Sequence, residues 1–201
     1  MARAYSLDPA DRHIQLLQAA RKVFAQRGYH QTGVAHIIKE AGVARGTFYN
    51  YFESKRAVFQ AVLEGLMDEV NSGVIAIDVT QPIEPQVRAN LVALVDVVMA
   101  PDVARLLFAE AVGIDAEGDE AVRAFYGSAV ERIERALCLG QTMGVVRDGD
   151  MTLTARCLLG LVKEPVFQAA LHQDPLDAKA LIDELAALLT LGIFVPRSGP
   201  V

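Results

Sequence analysis

The chain has no tryptophan, only two cysteines among its 201 residues, and 6% aromatic side chains. Cys138 and Cys157 both sit in apolar, helix-like surroundings. That excludes a disulfide framework and predicts two buried thiols, the pattern of a protein kept in a reducing compartment. Valine- and threonine-rich alternation is scarce, which argues against a sheet. The stretch Val74 to Ile77 is far too short to cross a bilayer, and MARAYSLDPADRHIQ has no apolar core after its arginine, unlike a secretion signal. A cytoplasmic location is the expectation. The histidines, at 13, 30, 36 and 172, are scattered and pair with no cysteine or carboxylate at metal-ligand spacing. No phosphate-cradling glycine loop or nucleophile–histidine arrangement occurs either. These absences predict a protein that is not an enzyme, with no catalytic residues, metal or cofactor.

What is present is a composition 52% hydrophobic and dominated by alanine and leucine, which predicts an all-α protein with a sizeable core. The length allows one large domain or a small domain joined to a larger one. The net charge of −6 speaks against nucleic acid, but its distribution does not. Through Arg56 nine cations stand against four anions, or +5, which leaves −11 on the remainder. A basic head on an acidic body lets one end of the molecule approach a polyanion while the other is repelled.

The stretch Thr32 to Phe52, TGVAHIIKEAGVARGTFYNYF, shows what the head is for. Thr32 is the expected N-cap of a short helix whose apolar face is Val34, Ile37, Ile38 and Ala41. Gly42 falls where a chain leaving a helix needs a left-handed residue. Val43 follows as a plug, and a second helix begins near Ala44. Two short helices joined by a glycine-containing turn form a helix-turn-helix. In the second, Ala44 and Phe48 share one face, while Arg45, Gly46, Tyr49 and Asn50 lie within an arc on the other. Taken alone this describes any amphipathic surface helix. Yet Arg can read guanine, Asn can read adenine and Tyr can reach a phosphate, so the arc suits a DNA major groove.

Around this unit the spacing predicts a first helix from Asp8 to Gly28, with Asp8 as N-cap and Pro9 at its first position. Its Arg21, Lys22 and Arg27 fall late in the helix, where cations favour the dipole. Ser54 caps a helix running to about Gly73. Lys55 and Arg56 lie in its first turn, where a cation opposes the dipole and a phosphate would relieve it. Asp78 to Pro85 is a polar, proline-containing linker. Helices then follow over Pro85–Met99, Pro101–Gly113, Asp119–Gly144, Thr152–His172 and Leu176–Phe194, the last with Asp174 as N-cap. Pro165 should kink the fourth of these. The last two are apolar over most of their circumference, which predicts burial on more than one side and hence a subunit interface; a monomer's core helix is the plainer reading.

The segment Arg12 to Leu63 resembles the DNA-binding domain of the TetR family of bacterial transcriptional regulators. The matching residues are Ala19-Ala20, Phe24, Gly28, Thr32, Ile37 and Ala41-Gly42-Val43, then Gly46-Thr47-Phe48-Tyr49-Asn50-Tyr51-Phe52, Ser54-Lys55 and Phe59. Asn50 stands where the family usually has His, and Ala35-His36 replace a pair often seen as Arg-Asp; both bear on which operator is read. The resemblance implies phosphate contacts by Thr32, Tyr49, Tyr51 and Lys55, with Arg45, Gly46, Thr47 and Asn50 at or near base edges. It implies a domain over 8–54 that binds double-stranded DNA and a helical ligand-binding and dimerisation domain over 55–196. It further implies a homodimer through the last two long helices, a pseudo-palindromic operator, and repression released by a small-molecule effector.

The C-terminal part resembles nothing as specific. Met99, Phe108, Glu110, Phe125, Tyr126, Met143 and Phe167 are candidate pocket residues, large and placed mid-helix, although such residues usually fill cores. Glu110 is a carboxylate among apolar neighbours, so it should pair with an arginine such as Arg105 or Arg156, or face the effector. The reading from another functional class is a helical dimer that binds a hydrophobic ligand or a protein partner without strong DNA binding.

Overall fold

The structure is a computed structural model that describes residues 8–108 and 116–193, the side chains of 108 and 116–119 excepted. Among these residues the chain forms nine α-helices and no sheet, as its alanine- and leucine-rich composition predicts. The first three, α1 (Pro9–Gln31), α2 (Val34–Ala41) and α3 (Arg45–Tyr49), form the head. Then come α4 (Lys55–Gly73), α5 (Ile83–Val98), α6 (Pro101–Phe108), α7 (Ala116–Thr142), α8 (Met151–His172) and α9 (Ala178–Gly192).

Several helix ends follow from their caps. The Asp8 carboxylate accepts from the Ala10 N–H, and Ser54 Oγ accepts from the Ala57 N–H at 3.0 Å. Gly42 closes α2 at φ 64°, a conformation that costs a glycine little. Other ends differ from expectation. The first helix runs on to Gln31, because Gly28 at φ 78° kinks it without ending it. The second begins after Gly33, so Thr32 is not its N-cap; its hydroxyl donates to the Gly28 carbonyl at 2.6 Å. The last helix is capped by Asp177, which accepts from Lys179, and not by Asp174. Three residues of this short stretch, Asp174, Pro175 and Asp177, are all good start signals, and local sequence alone does not rank them.

Helix α4 sits at the centre of the packing. It lies against α1 on the head side and against α5 and α7 on the body side; α6 packs on α1 and α8, and α5 on α9. One apolar core therefore runs from Leu16, Phe24 and Phe48 through Phe59, Val62 and Leu66 to Val95, Val103, Leu181 and Leu185. Each such side chain contributes about 1.5–3 kcal/mol when fully buried. A smaller, second cluster joins Leu137, Val145, Val146, Met151, Ala155 and Ile193. There Arg147 donates through Nε to the Gly192 carbonyl at 2.9 Å, satisfying an orphan acceptor at the end of α9.

Both cysteines are exposed, not buried as expected. Helical periodicity shows that residues 138 and 157 lie on helices but does not show which face turns inward. On α8 the solvent-facing row is Leu153, Cys157 and Leu161, spaced by four, with Leu171 further on; α9 adds Leu188 and Leu191. Among the described residues no helix is long and apolar enough to cross a membrane.

Candidate nucleic-acid interface

The recognition element is short, and its placement rests on one side chain. Phe48 is fully buried and packs against Phe52, whose ring centroid lies 5.9 Å away. With Phe48 inward, Arg45, Gly46, Tyr49 and Asn50 are all exposed and Thr47 is half-buried. Ala44, expected to share the inner face, is instead the exposed N-cap of α3, at ψ 153° and so outside the helical repeat. The Arg45 guanidinium lies 5.6 Å from the Tyr49 ring centroid and has no carboxylate partner among the described residues. A Cβ at Gly46 would meet no protein atom within 4 Å. The chain's own packing thus does not require glycine there, and the bare backbone faces outward.

The frame behind this surface is built by contacts between residues far apart in sequence. Gln15 on α1 donates through Nε2 to the Ala41 carbonyl at 2.8 Å, capping the end of α2. The Gln15 amide oxygen in turn accepts from Arg12 at 2.7 Å. Lys22 pairs with Glu40 at 2.5 Å, and the His13 ring stacks on Phe52 with centroids 5.1 Å apart. His36 accepts from the Gly33 N–H at its Nδ1, 3.0 Å away, and so helps cap α2. Sequence reasoning missed the Gln15–Ala41 and Lys22–Glu40 contacts, because no local pattern marks a pair separated by 18 or 26 positions.

Two expected phosphate contacts stand differently from the rest. Thr32 is 2% exposed, its hydroxyl committed to Gly28 and its N–H to the Tyr29 carbonyl, so it offers no free outward donor. Lys55 is half-buried; its ammonium donates to the Tyr29 carbonyl at 2.9 Å and lies 4.0 Å from the centroid of the Tyr29 ring. Arg56 pairs with Glu120 at 2.5 Å. The cations placed against the dipole of α4 therefore have partners inside the molecule. The Lys55 ammonium carries three donor hydrogens and keeps two beyond the Tyr29 bond. Tyr51 is half-buried, 6.1 Å from the His13 ring centroid.

The candidate pocket residues are dispersed. Met99 is the C-cap of α5, and Met99, Phe125 and Phe167 are partly buried against the main core. Tyr126 donates to the Leu107 carbonyl at 3.2 Å, and burial pushes its phenol up to about 12. Lys163 lies 5.3 Å from the centroid of its ring. Met143, expected mid-helix, sits in the turn after α7 and is 38% exposed, because α7 stops at Thr142. Glu110 and the Phe108 side chain lie outside the described residues. Two surface hollows, one between α1 and α6 and one on α7, are lined by none of these seven residues.

A glycine-turned helix pair, braced by a capping first helix and joined through a long fourth helix to a helical body, defines a helix-turn-helix protein. Residues 16–62 match the model of bacterial regulatory proteins of the tetR family. That match spans most of the head and the first part of α4. The chain is 42% identical over 72 residues to the transcriptional activator FasR of Mycolicibacterium smegmatis, a match covering 36% of this chain and 33% of that protein. The uncharacterised regulator YhgD of Bacillus subtilis is 25% identical over 185 residues, 91% of this chain and 97% of that one. The fold is shared with the regulator FadR of Bacillus subtilis in complex with stearoyl-CoA, at a TM-score of 0.70 and 22% identity, covering 90% of this chain and 99% of that one. The match spans about a third of the length of FasR.

Proposed function

We propose that the protein is a sequence-specific DNA-binding transcriptional regulator that acts as a homodimer and answers to a small-molecule effector. The observation that carries this reading is the row Arg45, Gly46, Tyr49 and Asn50, exposed together on a helix anchored by a buried Phe48. Arg45 and Asn50 would read base edges, with Gly46 and Thr47 letting the backbone approach. Tyr49, Tyr51 and the spare Lys55 donors would hold phosphates; Thr32 would act from behind, by fixing the Gly28 kink. The head over 8–54 would read DNA and the body over 55–196 would dimerise and bind ligand, with α4 joining them. The exposed leucines of α8 and α9 are the surface for a second copy, which would set two α3 helices on successive major grooves.

An acyl compound is the first effector to test, since FadR of Bacillus subtilis is known in complex with stearoyl-CoA. An effector that releases DNA must bind the non-reading arrangement more tightly than the reading one. The test of the reading is an electrophoretic mobility shift on fragments of the protein's own promoter region. Binding should fall steeply with salt, and Tyr49→Ala should weaken specific and random duplexes alike. Arg45→Ala should cost about 1–3 kcal/mol on the cognate site and relax preference at one base pair. Absence of any salt-dependent complex would leave the ligand- or protein-binding dimer as the function.

A further inference from the structure

The seam between head and body holds a feature that DNA reading does not use. A hollow of about 470 Å³ lies between α1 and α6, lined by Gln18, Arg21, Lys22, Ala25, Gln26, Pro101, Asp102 and Arg105. Three of these side chains are cations and one is an anion. Arg21, 27% exposed, donates through Nε to Asp102 of α6 and through Nη1 to Glu69 of α4, each at 2.5 Å. That leaves it three N–H donors. Lys22 is held by Glu40 from outside the hollow. Arg105 follows Asp102 by three residues on the same helix, is exposed, and has no carboxylate partner among the described residues. Among the described residues the hollow therefore offers one guanidinium with spare donors and another with no carboxylate partner, plus two amides from Gln18 and Gln26. The only carboxylate in its lining is turned onto Arg21.

We propose that this hollow is a ligand site for a diphosphate group, free or as part of a larger molecule, clamped between Arg21 and Arg105. Guanidinium forks match phosphate oxygens in pairs, which an ammonium does not do. Two tetrahedral groups in tandem can engage an arginine on each wall. Asp102 opposes the ligand, because its charge lies beside the oxygens the site would hold. The site bridges a helix of the head and a helix of the body, so its occupancy and head orientation are linked reciprocally. The proposal does not depend on DNA reading, and its test measures ligand binding directly.

Calorimetric titration of the full chain with pyrophosphate, at ionic strength matched with chloride, should give one saturable site per chain. Arg105→Ala, an exposed change that leaves the Arg21 network in place, should weaken it about tenfold or more, and Asp102→Asn should tighten it by about as much. Arg45→Ala should leave it unchanged, and a random duplex should not compete for it. Loss of the signal in Arg45→Ala but not in Arg105→Ala would place the anion on the DNA-facing helix and overturn the proposal. Weaker or unchanged affinity in Asp102→Asn would overturn it too, as would displacement of pyrophosphate by the duplex, which would make DNA backbone the occupant.

Discussion

Thr32 shows how a residue can matter to an interface it does not touch. Its hydroxyl satisfies the carbonyl of Gly28, the one residue inside α1 whose backbone is not helical. Replacing it with valine keeps the shape and removes the donor, leaving a buried acceptor unpaired at a cost of about 1–3 kcal/mol. Thermal unfolding of Thr32→Val should show that loss, whereas a residue acting only as a phosphate ligand would leave Tm unchanged. Tyr126 is a second case. Burial pushes its phenol up to about 12, above the ordinary tyrosine value of 10.0, so the folded state resists ionisation. The stabilisation is intact below the unfolded value and is lost as pH rises towards the folded one, by up to about 1.4 kcal/mol for each pH unit crossed between them. Denaturant unfolding measured from pH 9 to 12 should therefore decline more steeply for the natural chain than for Tyr126→Phe.

At the scale of elements, the sequence specifies helices better than it specifies their ends and faces. The pattern of α2, with Ile37 and Ala41 inward and Gly42 to stop it, is complete within ten residues and reads correctly. Its start does not, because the capping groups are a backbone donor at Gly33 and the His36 ring. The faces of α7 and α8 were illegible for another reason: Cys138 and Cys157 have apolar neighbours in sequence but point to solvent, and only tertiary packing decides that. The candidate site divides the same way. Its outward row follows from helical spacing around Phe48, while the brace that holds it comes from α1, 26 residues away at Gln15. Removing that brace with Gln15→Ala frees the end of α2 and should cost about 1 kcal/mol of stability. Affinity for the cognate duplex should fall by more than affinity for random DNA, because register is lost before charge; competition binding with the two duplexes would measure the difference.

At the scale of the whole molecule, what the sequence could not show is that head and body share one core. A boundary at residue 54 follows from the family pattern, yet Phe59 packs edge-on to Phe24 of the head at 5.0 Å while Leu66, two turns later on α4, belongs to the same core as Val95 and Leu185. Rotating α4 relative to the body must therefore move the head, and the Arg21 bridges to Glu69 and Asp102 tie α1 to that motion. The body carries the exposed leucines of α8 and α9, with Leu153 and Leu171 each more than half exposed. Scattered exposed leucines are ordinary, but an apolar row spaced by four along one face of a helix suits association. A charge placed there should separate the copies without unfolding either. Leu161→Glu combined with Leu188→Glu should sediment as a monomer with helical content and Tm close to those of the natural chain. On DNA it should bind a single half-site but lose the added affinity of the full palindrome, since two heads no longer bind as one. A variant that sedimented as the natural chain does would overturn the proposed docking of a second copy on α8 and α9.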